Sequence, residues 1–143
     1  MPTPNAGPVH ELVEAARAVH ASVVALRRQL HCRPEVGLDL PETQTAIVDE
    51  LRRLGLPSQR GHALSSVTAV IAGDRPGPTI VLRADMDALP LTEETELDFS
   101  SVIAGAMHAC GHDMHVAMLL GAARLLVERR DRLAGRVVLM FQP

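Results

Sequence analysis

From Met114 to about Arg130 the sequence reads as one helix whose first three turns are apolar nearly all round. That is the pattern of a helix buried between layers, not one lying on a surface. Two short apolar runs frame it, Thr79–Ala84 before and Val137–Phe141 after. Strand, long helix, strand at this spacing makes a βαβ crossover, so the two strands are expected to run parallel. This places the chain in the α/β class, expected as a mixed, partly parallel sheet with helices on both faces. Ile80-Val81-Leu82 lacks alternation, as expected of a strand covered on both sides.

The rest of the chain supplies further elements. Leu12, Ala16, Val19, Val23, Leu26 and Leu30 fall on one helical stripe, predicting a packing helix from about Val9 to His31 that Pro34 closes. Residues 1–8, rich in proline, read as a flexible lead-in, and 9–143 as one domain. Asp39 followed by Glu42 is a candidate capping box for a second helix that runs to about Leu54 and stops at Gly55 and Pro57. The runs Val67–Ala72 and Thr79–Ala84 flank the turn formers Gly73–Pro78, which suggests a hairpin.

Composition narrows the function. Without Trp or Tyr, and with only Phe99 and Phe141 aromatic, the chain offers no stacking platform for single-stranded nucleic acid. A net charge of −3 with no basic cluster leaves no electrostatic footprint for nucleic acid. The apolar run Val116–Val127 is too short to span a bilayer. The N-terminus lacks the charged and apolar regions of a secretion signal, so the expected compartment is the cytoplasm. There Cys32 and Cys110 are not expected to pair.

In open α/β sheets, sites form beyond the carboxyl ends of the strands. Asp85 and Asp87 lie just past the first strand, Cys110, His112 and His115 where the crossover helix begins, and Gln142 past the second strand, all on one edge. A thiolate and an imidazole one residue apart can share a metal in a non-helical loop, and Gly111 gives the backbone that freedom. Such donors suit Zn²⁺, Mn²⁺, Ni²⁺ or Co²⁺ better than Ca²⁺ or Mg²⁺. Taken alone, Cys-x-His is also compatible with an incidental polar loop, and Asp85 and Asp87 with turn carboxylates. A Cys110 nucleophile with His112 as base is a further reading, although no orienting third group is evident. His115 reads as a hydrogen-bonded helix residue and His108 fits either reading. His10, His20, His31 and His62 read as surface or core-edge residues without an identifiable partner.

Pro34-Glu35-Val36-Gly37, Glu42-Thr43, Arg83-Ala84-Asp85-Met86-Asp87-Ala88-Leu89-Pro90, His108-Ala109-Cys110-Gly111-His112-Asp113 and Phe141-Gln142-Pro143 follow one another in a fixed order. Together they resemble the N-terminal part of the amidohydrolase branch of the M-twenty peptidase family, which includes aminoacylase-like, hippurate and indole-acetyl-amino-acid hydrolases. The resemblance implies a zinc-exopeptidase-like catalytic domain with two divalent transition-metal ions, hydrolysing the amide of N-acyl amino acids, in a protein that forms homodimers. By the same resemblance Cys110 and His112 are metal ligands. Asp87 is the acidic catalytic-site residue that supports the metals, and Asp85 stands where other branches have a histidine ligand. In the family an acidic pair follows the Phe-Gln-Pro, with more ligands and an inserted dimerisation domain downstream. Residues 1–143 hold none of these, so this chain is expected to be inactive by itself. The alternative is a non-catalytic fragment with at most weak binding of a single metal ion.

Overall fold

The computed structural model describes residues 7–143. Three helices, α1 (Pro8–Cys32), α2 (Pro41–Arg53) and α3 (His112–Val127), accompany four strands, β1 (Ser58–Arg60), β2 (Val67–Ala72), β3 (Arg75–Asp85) and β4 (Ala134–Gln142). Helix α1 already begins at Pro8, and residues 1–6 of the expected lead-in lie outside the described residues.

The strands form one sheet in the order β1-β2-β4-β3. β3 and β4 run parallel, joined through α3, which is the expected βαβ crossover. β2 and β3 do not form the expected hairpin. β4 lies between them, antiparallel to β2 with Val67 opposite Phe141, and parallel to β3 with Asp85 opposite Gln142. The turn-rich segment reverses the chain but leaves room for another strand. Gly73 donates its N–H to Gly135 O at 2.9 Å, and a side chain at Gly73 would run into the Leu133 carbonyl. Gly135, at φ +83°, presses against Pro78 in the same way. Two residues without a Cβ thus let β4 enter the gap.

The core alternates as a half-covered sheet demands. Val67, Ala69 and Ile71 of β2 and Val137, Leu139 and Phe141 of β4 are buried beneath α2 and α3, together with Ile47, Leu51, Val116 and Leu120. The intervening side chains face away, and Val70 and Val81 are 47% and 55% exposed. The mixed sheet with helices is as expected. Helices on both faces are not found: among the described residues one face is bare, and β3 is an edge strand, not a doubly covered one. Apolarity without alternation marks a strand that wants cover, without saying whether the covering element lies among these residues.

Helix α3 is packed between α1 and the sheet, and its exposed apolar side chains are Met114 and Met118. Asp39 does not cap α2. Glu35 does so from the preceding loop, its carboxylate accepting the N–H of Glu42 at 3.1 Å and of Thr43 at 2.8 Å. Asp39 instead accepts from the Ser65 hydroxyl at 3.4 Å.

Candidate metal centre

The parallel pair β3/β4 delivers Asp85 and Gln142 to the same edge of the sheet. Past Asp85 the chain is pinned from two sides. Ala88 N donates to Glu35 O at 2.8 Å, and Leu89 and Met107 exchange both backbone hydrogen bonds at 2.9 and 3.0 Å. These pairings carry Asp87 and the turn at residues 107–111 to one place. Gly111 adopts the left-handed conformation (φ +81°), and α3 starts at His112 immediately after it.

His112 is held by its Nδ1, which lies 2.8 Å from Asp87 Oδ1 and 2.9 Å from Asp87 O. Both are acceptors, so Nδ1 donates, and Nε2 keeps its lone pair free. His115 follows one helical turn later, its ring 5.3 Å from that of His112 and its Nδ1 3.5 Å from Asp85 Oδ2. Asp85, His112 and His115 each offer a donor atom within 4.8 Å of one another. Asp85 also pairs with Arg83 at 2.5 Å. His115, read from the sequence as an ordinary helix residue, therefore joins the candidate donors, and its i,i+3 spacing from His112 was the available signal. Cys110 lies outside this trio. It is exposed and free, at the rim of an open hollow of about 290 Å³ that Glu93, Leu97, His108 and Met114 also line. Cys32 is free as well, its thiol donating to Phe99 O at 3.2 Å.

Below that hollow lies a polar cluster that the sequence did not disclose. His31, expected to have no partner, is buried, with Nδ1 2.7 Å from Asp113 Oδ2 and Nε2 3.1 Å from Glu93 Oε1. Burial works against the Glu93 carboxylate. Hydrogen bonds from Thr95, from the Ser101 backbone and from His31, with the charge of His31, outweigh it and lower the pKa to about 2. His108 is 4% exposed, and neither ring nitrogen has a hydrogen-bond partner among the described residues. Burial pushes its pKa below the usual imidazole value, helped by the neighbouring His31 and His112 and opposed by Asp113 and Asp87.

A mixed sheet that gathers imidazoles and carboxylates at the carboxyl ends of its parallel strands gives an α/β domain with a candidate metal site. Comparison with known proteins sharpens this. Residues 81–143 match the family model "Peptidase family M20/M25/M40". Thermostable carboxypeptidase 1 of Saccharolobus solfataricus is 44% identical over 136 residues, which are 94% of this chain and 35% of that protein. The N-acyl-L-amino acid amidohydrolase of Geobacillus stearothermophilus is 39% identical, covering 92% of this chain and 36% of that one. Among solved structures, the Bacillus subtilis YXEP protein, described as a dinuclear metal-binding peptidase of the M20 family, superposes with a TM-score of 0.85 at 42% identity. It covers 89% of this chain, which corresponds to 36% of that one. The chain is similar to M20-family peptidases over most of its length and spans about a third of the length of these relatives.

Proposed function

We propose that the protein carrying this chain is a metal-dependent amidohydrolase that cleaves the amide of N-acyl amino acids. In this reading residues 9–143 form the N-terminal part of its catalytic domain. The observation that carries it is the Asp87–His112 pair at 2.8 Å, because a carboxylate holding one imidazole nitrogen so that the other is free is how proteins present histidine to a metal. The substrate class is supported by the amidohydrolase named among the relatives, and a pair of ions by the dinuclear site of the structural neighbour.

The residues fit a transition metal. In this reading His112, through Nε2, and Cys110, through its sulfur, are the ligands, both at the start of α3. Asp85 and His115 each bring a donor atom within 4.8 Å of one on His112. The donor set of imidazole, thiolate and carboxylate suits Zn²⁺, Mn²⁺, Ni²⁺ or Co²⁺. When bound, the ions supply Lewis acidity toward the amide carbonyl and toward water. Asp87 fixes the tautomer and direction of His112, and Leu97 and Met114 give the neighbouring hollow an apolar wall for an acyl group. Two ions need more donors than these residues hold, so the complete centre draws ligands from outside residues 1–143. Homodimer formation and a cytoplasmic location belong to the same proposal. The first rests on the family resemblance, and the second agrees with the lack, among the described residues, of a helix long and apolar enough to cross a membrane.

The test is metal analysis of the natural gene product together with release of amino acid from N-acetyl and N-benzoyl amino acids. Stoichiometric metal without hydrolysis of any of them removes the substrate class. Unchanged metal content in Cys110→Ala removes Cys110 from the ligands. A second reading, that residues 1–143 alone bind at most one ion weakly and catalyse nothing, has the bare sheet face and the single three-donor cluster among the described residues in its favour. Expression of residues 1–143 alone, assayed in the same way, decides it.

A further inference from the structure

The acid at the second position of α3, Asp113, is 0% exposed. A carboxylate in such a place is held there by partners or not at all. Both of its partners come from α1. His31 Nδ1 donates to Oδ2 at 2.7 Å, and Arg27 Nε lies 2.6 Å from the same oxygen, an ionic contact with its N–H off the hydrogen-bonding line. His31 meets a second carboxylate, Glu93, through Nε2, and the other oxygen of Glu93 accepts the N–H of Ser101 at 2.7 Å.

This line of contacts ends one residue from His112 and two from Gly111. The metal turn is therefore gripped from two directions, by Asp87 on the sheet side and by α1 through Asp113 on the other. We propose that Arg27 and His31 are positioning residues of the metal turn: by holding the buried Asp113 carboxylate they set the angle at which Cys110 and His112 face the ion. The proposal rests on the metal-centre reading above. Releasing Asp113 leaves an uncompensated buried charge, which the first turn of α3 relieves by rotating toward water and taking His112 with it.

A purely structural role, pinning α1 to α3, makes a different prediction. Val23 joins the same helices by packing on Gly121, away from Asp113. Loosening the helix pair there tests stability without touching the turn. The natural gene product is loaded with Co²⁺ alone, its affinity measured by chelator competition, its visible spectrum recorded, and its folding followed by circular dichroism. His31→Asn and Arg27→Met are expected to weaken Co²⁺ binding at least about tenfold, the usual effect of removing an outer support, and to shift the visible band. Val23→Ala is expected to melt earlier with affinity and spectrum unchanged. Affinity within twofold of the parent in both brace variants, or an equal loss in Val23→Ala, overturns the proposal. If His31→Asn does not fold, Arg27→Lys replaces it as the second arm. Recovery of most of the affinity lost in Arg27→Met supports the brace, and no recovery overturns it. A parent that binds no Co²⁺, or binds it equally after His112→Ala, overturns the metal-centre reading itself. Failure of the brace variants alone leaves that reading standing.

Discussion

Asp87 and His112 are 25 positions apart in the chain, and their side chains meet at 2.8 Å because β3 ends where α3 begins. The contact engages Nδ1 of His112 and leaves Nε2 free, so in the proposed centre Asp87 stands behind the imidazole. Asp87→Asn keeps the shape and removes the charge. It is expected to lower metal affinity by about 10–100-fold with little change in melting temperature, measured by chelator competition and calorimetry.

The cap of α2 offers a sharp comparison. Glu35 satisfies two N–H groups of the first turn, while Asp39, the nearer candidate by sequence, satisfies none of them. Glu35→Ala should cost about 1 kcal/mol in urea unfolding, and Asp39→Ala less than half of that.

Phe141 is fully buried on the central strand, opposite Val67 and Ala84. Its truncation to Ala is expected to remove about 3–5 kcal/mol of stability. Val81→Thr on the bare face of β3 should be close to neutral by the same measurement.

Acid should destabilise the metal-free protein in two stages. His108 has a lowered pKa in the folded state, so below the ordinary imidazole value of about 6.5 the unfolded chain takes up a proton that the folded chain refuses. Its contribution is complete above that value and is lost as pH falls. Glu93 is depressed from 4.5 to about 2, so its contribution is complete above pH 4.5 and is lost between there and pH 2. Melting temperatures recorded across this range should fall in both windows, and His108→Leu should abolish the upper one alone.

The βαβ unit was legible because strand and helix differ in period, and because a helix as apolar as α3 has to be enclosed. The place of β4 was not. Turn formers between β2 and β3 show that the chain reverses, but strand pairing is decided by which edge a later segment reaches. Asp85, Asp87 and His112 could be assigned to one edge from chain direction alone, which is a topological argument and needs no side-chain detail. The role of His31 escaped notice for the opposite reason. Its partners Glu93 and Asp113 lie 62 and 82 positions away, and nothing local marks a histidine that will be buried between two acids. His115 reads from the sequence as a helix residue with a hydrogen-bond partner, and only the structure shows that the partner beside it is the carboxylate of Asp85.

The position of β4 has a consequence for how the chain comes into being. The strand at the middle of the sheet is the last of the described elements to be synthesised, following β2, which ends at Ala72, by the whole of β3, the long loop and α3. Until Ala134–Gln142 emerges from the ribosome, β2 and β3 have no shared partner, and their backbone groups and apolar side chains stay open to water and to other nascent chains. Helices α1 and α2 can form early by local contacts, but the sheet cannot close. A brake on translation or an early stop within α3 would therefore yield a sticky intermediate, and aggregation during synthesis should be most severe for products that end just before Ala134.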